Sequence, residues 1–137
     1  MIYVLMPFLA WCIAGCLKFV VNYIRFGNKA KSLIGYGGFP STHTTIMSSV
    51  VFLAGFHEGF DTALFSVGLG TLLVLVIDAH GLRRKVGEQA MVLNILQDEK
   101  VLRERMGHSW GEICGGLVLG ALLGYIGSKL VFLNAFI

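Results

Sequence analysis

The sequence predicts an all-α integral membrane helical bundle, with about four transmembrane helices and an amphipathic helix in a cytoplasmic loop. Three observations carry that expectation. Of 137 residues, 55% are apolar and 14% charged, and the mean hydropathy of +0.75 lies well above that of soluble domains. The apolar residues fall into four runs, Ile2 to Val21, Thr42 to Phe56, Thr62 to Ile77 and Ile113 to Phe136, each near the length of a spanning helix. Between these runs the basic residues gather in two clusters, the pattern of cytoplasmic loops. A chain of this length makes a single membrane-embedded domain, residues 1–137. Its net charge of +3 is modest and most of its basic residues lie between the apolar runs, which argues against nucleic acid as a partner.

The first run has no basic residue before it and no small-residue cleavage site after it, so it reads as a retained helix and not a signal peptide. The second and third runs are short, because about 16 residues rise only about 24 Å against a hydrocarbon core of about 30 Å. Extension through their polar ends, or local thinning of the bilayer, must make up the difference. Arg25, Lys29 and Lys31 follow the first run, and Arg83, Arg84, Lys85, Lys100, Arg103 and Arg105 follow the third, whereas the intervening loop carries His57, Glu58 and Asp61. The positive-inside rule therefore puts the basic loops in the cytoplasm and both termini outside, in a plasma (inner) membrane. Val86, Ala90, Leu93 and Leu96 recur at helical spacing among Glu88, Gln89, Asp98 and Glu99. That spacing predicts a surface helix, either a lid or a connector packed on the bundle.

In the last run, Gly116, Gly120 and Gly124 repeat a small-x-x-x-small pattern. The pattern suits close packing inside the bundle, or alternatively the seam of a homodimer. Cys12, Cys16 and Cys114 lie in apolar stretches without paired spacing and read as small core residues.

Topology brings the polar candidates to one membrane face. Pro40-Ser41-Thr42-His43 opens the second run from the first basic loop, and His108-Ser109-Trp110-Gly111-Glu112 opens the fourth from the second. Lys18 and Arg25 lie near the end of the first run on that side, and Asp78, Arg83 and Arg84 at the corresponding end of the third. Gly35, Gly37 and Gly38 give a flexible approach to Pro40, which suits the first position of a helix. The amides that follow, with the Ser41 and Thr42 hydroxyls, could hold phosphate oxygens at the positive end of the helix dipole; a plain cap by Ser41 or Thr42 is the alternative. His43 has no role in a cap and stands where a general acid would protonate a leaving oxygen. His108 and Glu112 are four residues apart, so on a helix the carboxylate reaches one ring nitrogen and leaves the other as a nucleophile. No metal-ligand spacing recurs, and no metal or other cofactor is expected.

These segments together resemble the type 2 phosphatidic acid phosphatase superfamily, most closely its short divergent branch, related to acid phosphatases and vanadium-dependent haloperoxidases. Lys18 to Arg25 resembles the K-x6-R part of the first superfamily motif, Pro40 to His43 resembles P-S-G-H, and His108 with Glu112 resembles H-x-x-x-D. Gly37 to His43 and Asp78 to Arg84 look like the divergent branch in particular. Phe26 stands where the first motif has proline, and Leu102 occupies the position of an expected arginine. The missing cation would then come from Arg83 and Arg84, ahead of Arg103 and Arg105.

The resemblance implies a membrane lipid phosphatase acting on a polyprenyl phosphate or diphosphate, phosphatidate or phosphatidylglycerol phosphate. His108 would form a phosphohistidine with Glu112 orienting it, and His43 would protonate the leaving oxygen. Lys18, Arg25, Ser41, Thr42, Arg83 and Arg84 would hold phosphate, with Asp78 orienting an arginine. A lipid phosphotransferase built on the same site, or a non-catalytic protein binding anionic lipid, are the alternatives.

Overall fold

The computed structural model describes residues 1–33, 38–97 and 100–134. Gly35, Gly37, Asp98, Glu99 and Phe136, all used in the sequence reading, lie outside them. Among the described residues the chain is helical without strands: α1 (Ile2–Phe26), a 3-10 segment (Gly27–Leu33), α2 (Thr42–Glu58), α3 (Ala63–His80), α4 (Leu82–Gln97) and α5 (Trp110–Asn134). Among the described residues, three stretches are long and apolar enough to cross a membrane, Ile2–Phe26, Ala63–Gln97 and Trp110–Val131.

The helix ends follow local chemistry. Ser41 caps α2 by accepting from the Thr44 amide, and Thr62 caps α3 by accepting from Phe65. Gly59, at φ 113°, ends α2 in a conformation that side chains avoid. Only Gly81 separates α3 from α4, and its amide still donates to Ile77 O at 2.8 Å.

The short second run is the centre of the bundle. α2 packs against α5 most extensively, then α1 and α3, so protein covers most of it and it need not match the hydrocarbon thickness itself. Its buried residues include Thr44, Thr45, Ser48 and Ser49, whose hydroxyls would be costly in an apolar interior without partners. Each has one: Thr44 Oγ1 donates to Ser41 Oγ at 2.9 Å, Thr45 Oγ1 to Ser41 O at 2.9 Å, Ser48 Oγ to Thr44 O at 2.6 Å and Ser49 Oγ to Ile46 O at 2.8 Å. At the end of the bundle away from the basic loops, Tyr3 Oη donates to Glu58 Oε1 at 3.1 Å and stands 3.2 Å from His57 Nδ1, joining the start of α1 to the end of α2.

The glycine repeat lies on the α2–α5 contact. A Cβ at Gly116 would lie 2.7 Å from Ser41 O, one at Gly120 2.7 Å from Thr45 O, and one at Gly124 2.7 Å from the Leu53 amide. Internal packing therefore occupies the face that a homodimer seam would have needed.

α4 forms over the segment expected to be a surface helix, and one expectation, that of the cysteines, requires correction. The buried face of α4 is Gly87, Ala90 and Asn94, whereas Val86, Leu93 and Leu96 are exposed. Gly87 admits the Glu104 backbone, and Asn94 holds the following loop, so the small and polar residues turn inward and the large apolar ones outward. The three cysteines are exposed and not core residues. In a bundle whose outer surface meets hydrocarbon, an apolar run does not by itself mark the interior.

Candidate active site

His108 precedes α5 and is fixed through its backbone before its ring is considered. Its amide donates to Ala79 O at 3.0 Å, and its carbonyl lies 3.3 Å from His80 Nδ1. The His80 ring lies against Trp110 with centroids 4.4 Å apart. Gly107, at φ 80°, lets the chain enter this clamp, since a Cβ there would lie 2.9 Å from both Ala79 O and the Arg84 amide.

The ring is set by the cap of α5. Ser109 N donates to Glu112 Oε2 at 3.0 Å, and Glu112 N donates to Ser109 Oγ at 3.3 Å, a reciprocal capping box. The same Oε2 lies 3.0 Å from His108 Nδ1. An ionised carboxylate only accepts, so Nδ1 carries the proton and Nε2 the lone pair. His108 is 7% exposed. Burial lowers its pKa from the ordinary 6.5, the charges of Lys18 and Arg83 act in the same direction, and the Glu112 hydrogen bond opposes them. At neutral pH the ring is therefore uncharged.

The two histidine motifs are tied together by the main chain, because Ser41 N donates to Glu112 O at 2.9 Å. His43, the second residue of α2 and two past that bond, lines a cavity of about 630 Å³ together with Lys18, Thr42, Arg83, Arg103 and His108. The cavity lies between α1, the start of α2, the start of α4 and the loop before α5.

Not every expected anion-binding group reaches it. Ser41 is 0% exposed, and its hydroxyl accepts from the Thr44 amide and hydroxyl. It therefore serves as the cap of α2, and its amide is bonded to Glu112. Arg25, two turns beyond Lys18, and Arg84 are exposed and do not line the cavity. Asp78 also lies off the lining, but it accepts from Arg83 Nε at 2.5 Å and so orients the arginine that does line it.

Arg103 lines the cavity in place of an arginine at position 102. Leu102 is held by a two-point backbone contact, Leu102 N to Asn94 Oδ1 at 2.9 Å and Asn94 Nδ2 to Leu102 O at 2.8 Å. Asn94 Nδ2 also reaches Glu104 Oε1 at 2.9 Å. One buried side chain of α4 thus sets the residues on either side of Arg103.

The family model described as the Divergent PAP2 family matches residues 2–123. This chain belongs to that family. An uncharacterized membrane protein of Bacillus subtilis, YuiD, is 30% identical over 107 residues, covering 64% of this chain and 68% of the relative. No solved structure matches the chain significantly.

As a divergent PAP2 protein the chain is related to a phosphatase-like superfamily of membrane proteins. Several residues around the cavity escaped the sequence reading. Asn22 is 7% exposed and lines the cavity; a polar residue one turn from Lys18 in an apolar run was its available signal. Ser109 was visible as the first residue of S-x-x-E, a capping box that the H-x-x-x-E reading overshadowed. His80 reaches the His108 carbonyl 28 residues on and Asn94 the Leu102 backbone 8 residues on, contacts that no spacing in the sequence signals in this divergent PAP2 protein.

Proposed function

We propose that this protein is a membrane lipid phosphatase that works through a phosphohistidine and needs no metal. The observation that carries the proposal is the convergence of His43, His108, Lys18, Arg83 and Arg103 on one cavity, with the His108 ring held by Glu112. In the first step His108 Nε2 attacks phosphorus, the bond from phosphorus to the lipid oxygen breaks, and His43 gives that oxygen a proton. In the second step His43 accepts a proton from water, the water oxygen attacks phosphorus, the bond from phosphorus to His108 Nε2 breaks and returns its electron pair to the ring, and inorganic phosphate leaves. Lys18, Arg83, Arg103 and the positive end of α2 at Thr42 balance charge on the equatorial oxygens, the main requirement in phosphoryl transfer.

The substrates are of the polyprenyl phosphate or diphosphate, phosphatidate or phosphatidylglycerol phosphate type. With Arg83, Arg84, Lys85, Arg103 and Arg105 at one end of the bundle and Glu58 and Asp61 at the other, the cavity opens to the cytoplasm of a plasma membrane.

Purified protein in detergent is expected to release phosphate from a panel of such lipids with chelator present, and to be inhibited by orthovanadate. His108→Ala should lower turnover at least about 10³-fold, as loss of a covalent nucleophile does. Full turnover in that variant rules the mechanism out. Because His108 acts uncharged and its pKa lies below 6.5, the acid limb of kcat/KM, where His108 takes up a proton, should lie below pH 6.5, and loss of the proton that His43 donates sets a separate alkaline limb. An acid limb that begins above pH 7 contradicts the assignment of His108. Movement of labelled phosphate to a second lipid would identify a phosphotransferase.

A further inference from the structure

The cavity changes character along its length. On α1, Trp11, Gly15, Lys18 and Asn22 line it at helical spacing, forming one stripe that passes from apolar to polar toward the end of the helix. On α2 the lining order is matched, with His43 beside the polar half and Ile46 one turn deeper. Seven residues of helix between Trp11 and Lys18 rise about 10 Å, so the apolar half reaches well into the depth of the hydrocarbon.

Its walls are open toward the membrane. Trp11 is 62% exposed, and Cys12 and Cys16 are exposed while lining the cavity. Gly15 lies between them, and a Cβ built on it meets no atom within 4 Å. Glycine here leaves room and makes no helix contact.

We propose that the apolar half is a tail subsite, which takes the first stretch of one hydrocarbon chain of a lipid phosphate with Gly15 as its floor. The proposal rests on the phosphate-binding reading of the polar half, since continuity with that half is what makes the occupant a lipid tail. A chain entering from the bilayer passes from one apolar surrounding to another. Fit and not hydrophobic transfer therefore decides selectivity, and the open position at Gly15 controls it.

Two measurements on the full chain test this, with hexadecyl phosphate and butyl phosphate as probes. Gly15→Trp should lower the ratio of kcat/KM for hexadecyl over butyl phosphate by about tenfold or more, the scale on which pocket shape discriminates. Gly15→Leu gives the same comparison with a smaller obstruction if the tryptophan variant does not fold. In protein carrying Cys114→Ala, hexadecyl phosphate should slow maleimide modification of Cys12 and Cys16, and butyl phosphate should not. Turnover with neither a changed ratio nor protection overturns the tail subsite and leaves the phosphatase standing. Protection by the long chain without any turnover retains the subsite and overturns the phosphatase.

Discussion

The two sides of α2 use glycine in opposite ways. Toward α5, Gly116, Gly120 and Gly124 bring two backbones together until a single methyl group would collide with Ser41 O, Thr45 O and the Leu53 amide. Toward α1, Gly15 faces open space within a cavity. The first side is a closed seam and the second a groove, and only the neighbour across the gap makes the difference. A helix with hydroxyls on its packed face serves both, because it satisfies those hydroxyls along its own backbone. Ser48 reaches further, donating to Gly116 O at 3.2 Å as well as to Thr44 O.

This contrast makes quantitative demands. Gly120→Ala should cost about 2 kcal/mol of unfolding free energy, the scale of an overpacked interior, measured by denaturant titration in detergent micelles. A neutral result would mean the seam is not closed. Ser48→Ala removes the bond across the seam and should cost about 1 kcal/mol. Because the Ser48 hydroxyl stands where the new methyl at position 120 would go, the double variant should be more stable than the two separate costs imply. Strict additivity would show that the two positions do not share that space.

Gly15→Ala should have the smallest effect and the opposite sign, raising stability by about 0.5 kcal/mol, because alanine restricts the unfolded chain and meets nothing in the native one. A destabilisation approaching that of Gly120→Ala would erase the distinction between seam and groove.

Much of the candidate site was legible because its contacts are local. His108 and Glu112 are one helical turn apart, so their contact follows from helix geometry wherever the helix lies. Helix count alone placed His43 and His108 at one end of the bundle. The cations were less legible. Arg83, Arg84, Arg103 and Arg105 are equivalent as sequence, and their selection came from contacts that cross the chain, Asp78 to Arg83 and Asn94 to the loop around Arg103. Ser41 shows the converse, a residue rightly placed at the start of α2 whose hydroxyl and amide were already engaged by the cap and by Glu112.

The cysteines misled for a physical reason. Hydropathy reports what may sit in an apolar surrounding, and in a membrane bundle that surrounding lies both inside and outside the protein. Exposed Cys12, Cys16 and Cys114 and the outward Leu93 and Leu96 satisfy the same pattern as buried residues would.

The sequence by itself determined the helices, the membrane as their solvent, the end of the bundle where charge gathers and the pairing of His108 with Glu112. Each follows from composition or from spacing within one segment. Tertiary structure decided that the shortest apolar run forms the core, that the glycine repeat seals α2 to α5, that Arg83 and Arg103 face the cavity while Arg25 and Arg84 do not, and that Gly15 opens a groove. Those outcomes depend on which helix face meets which, and side-chain periodicity names a face without naming its neighbour.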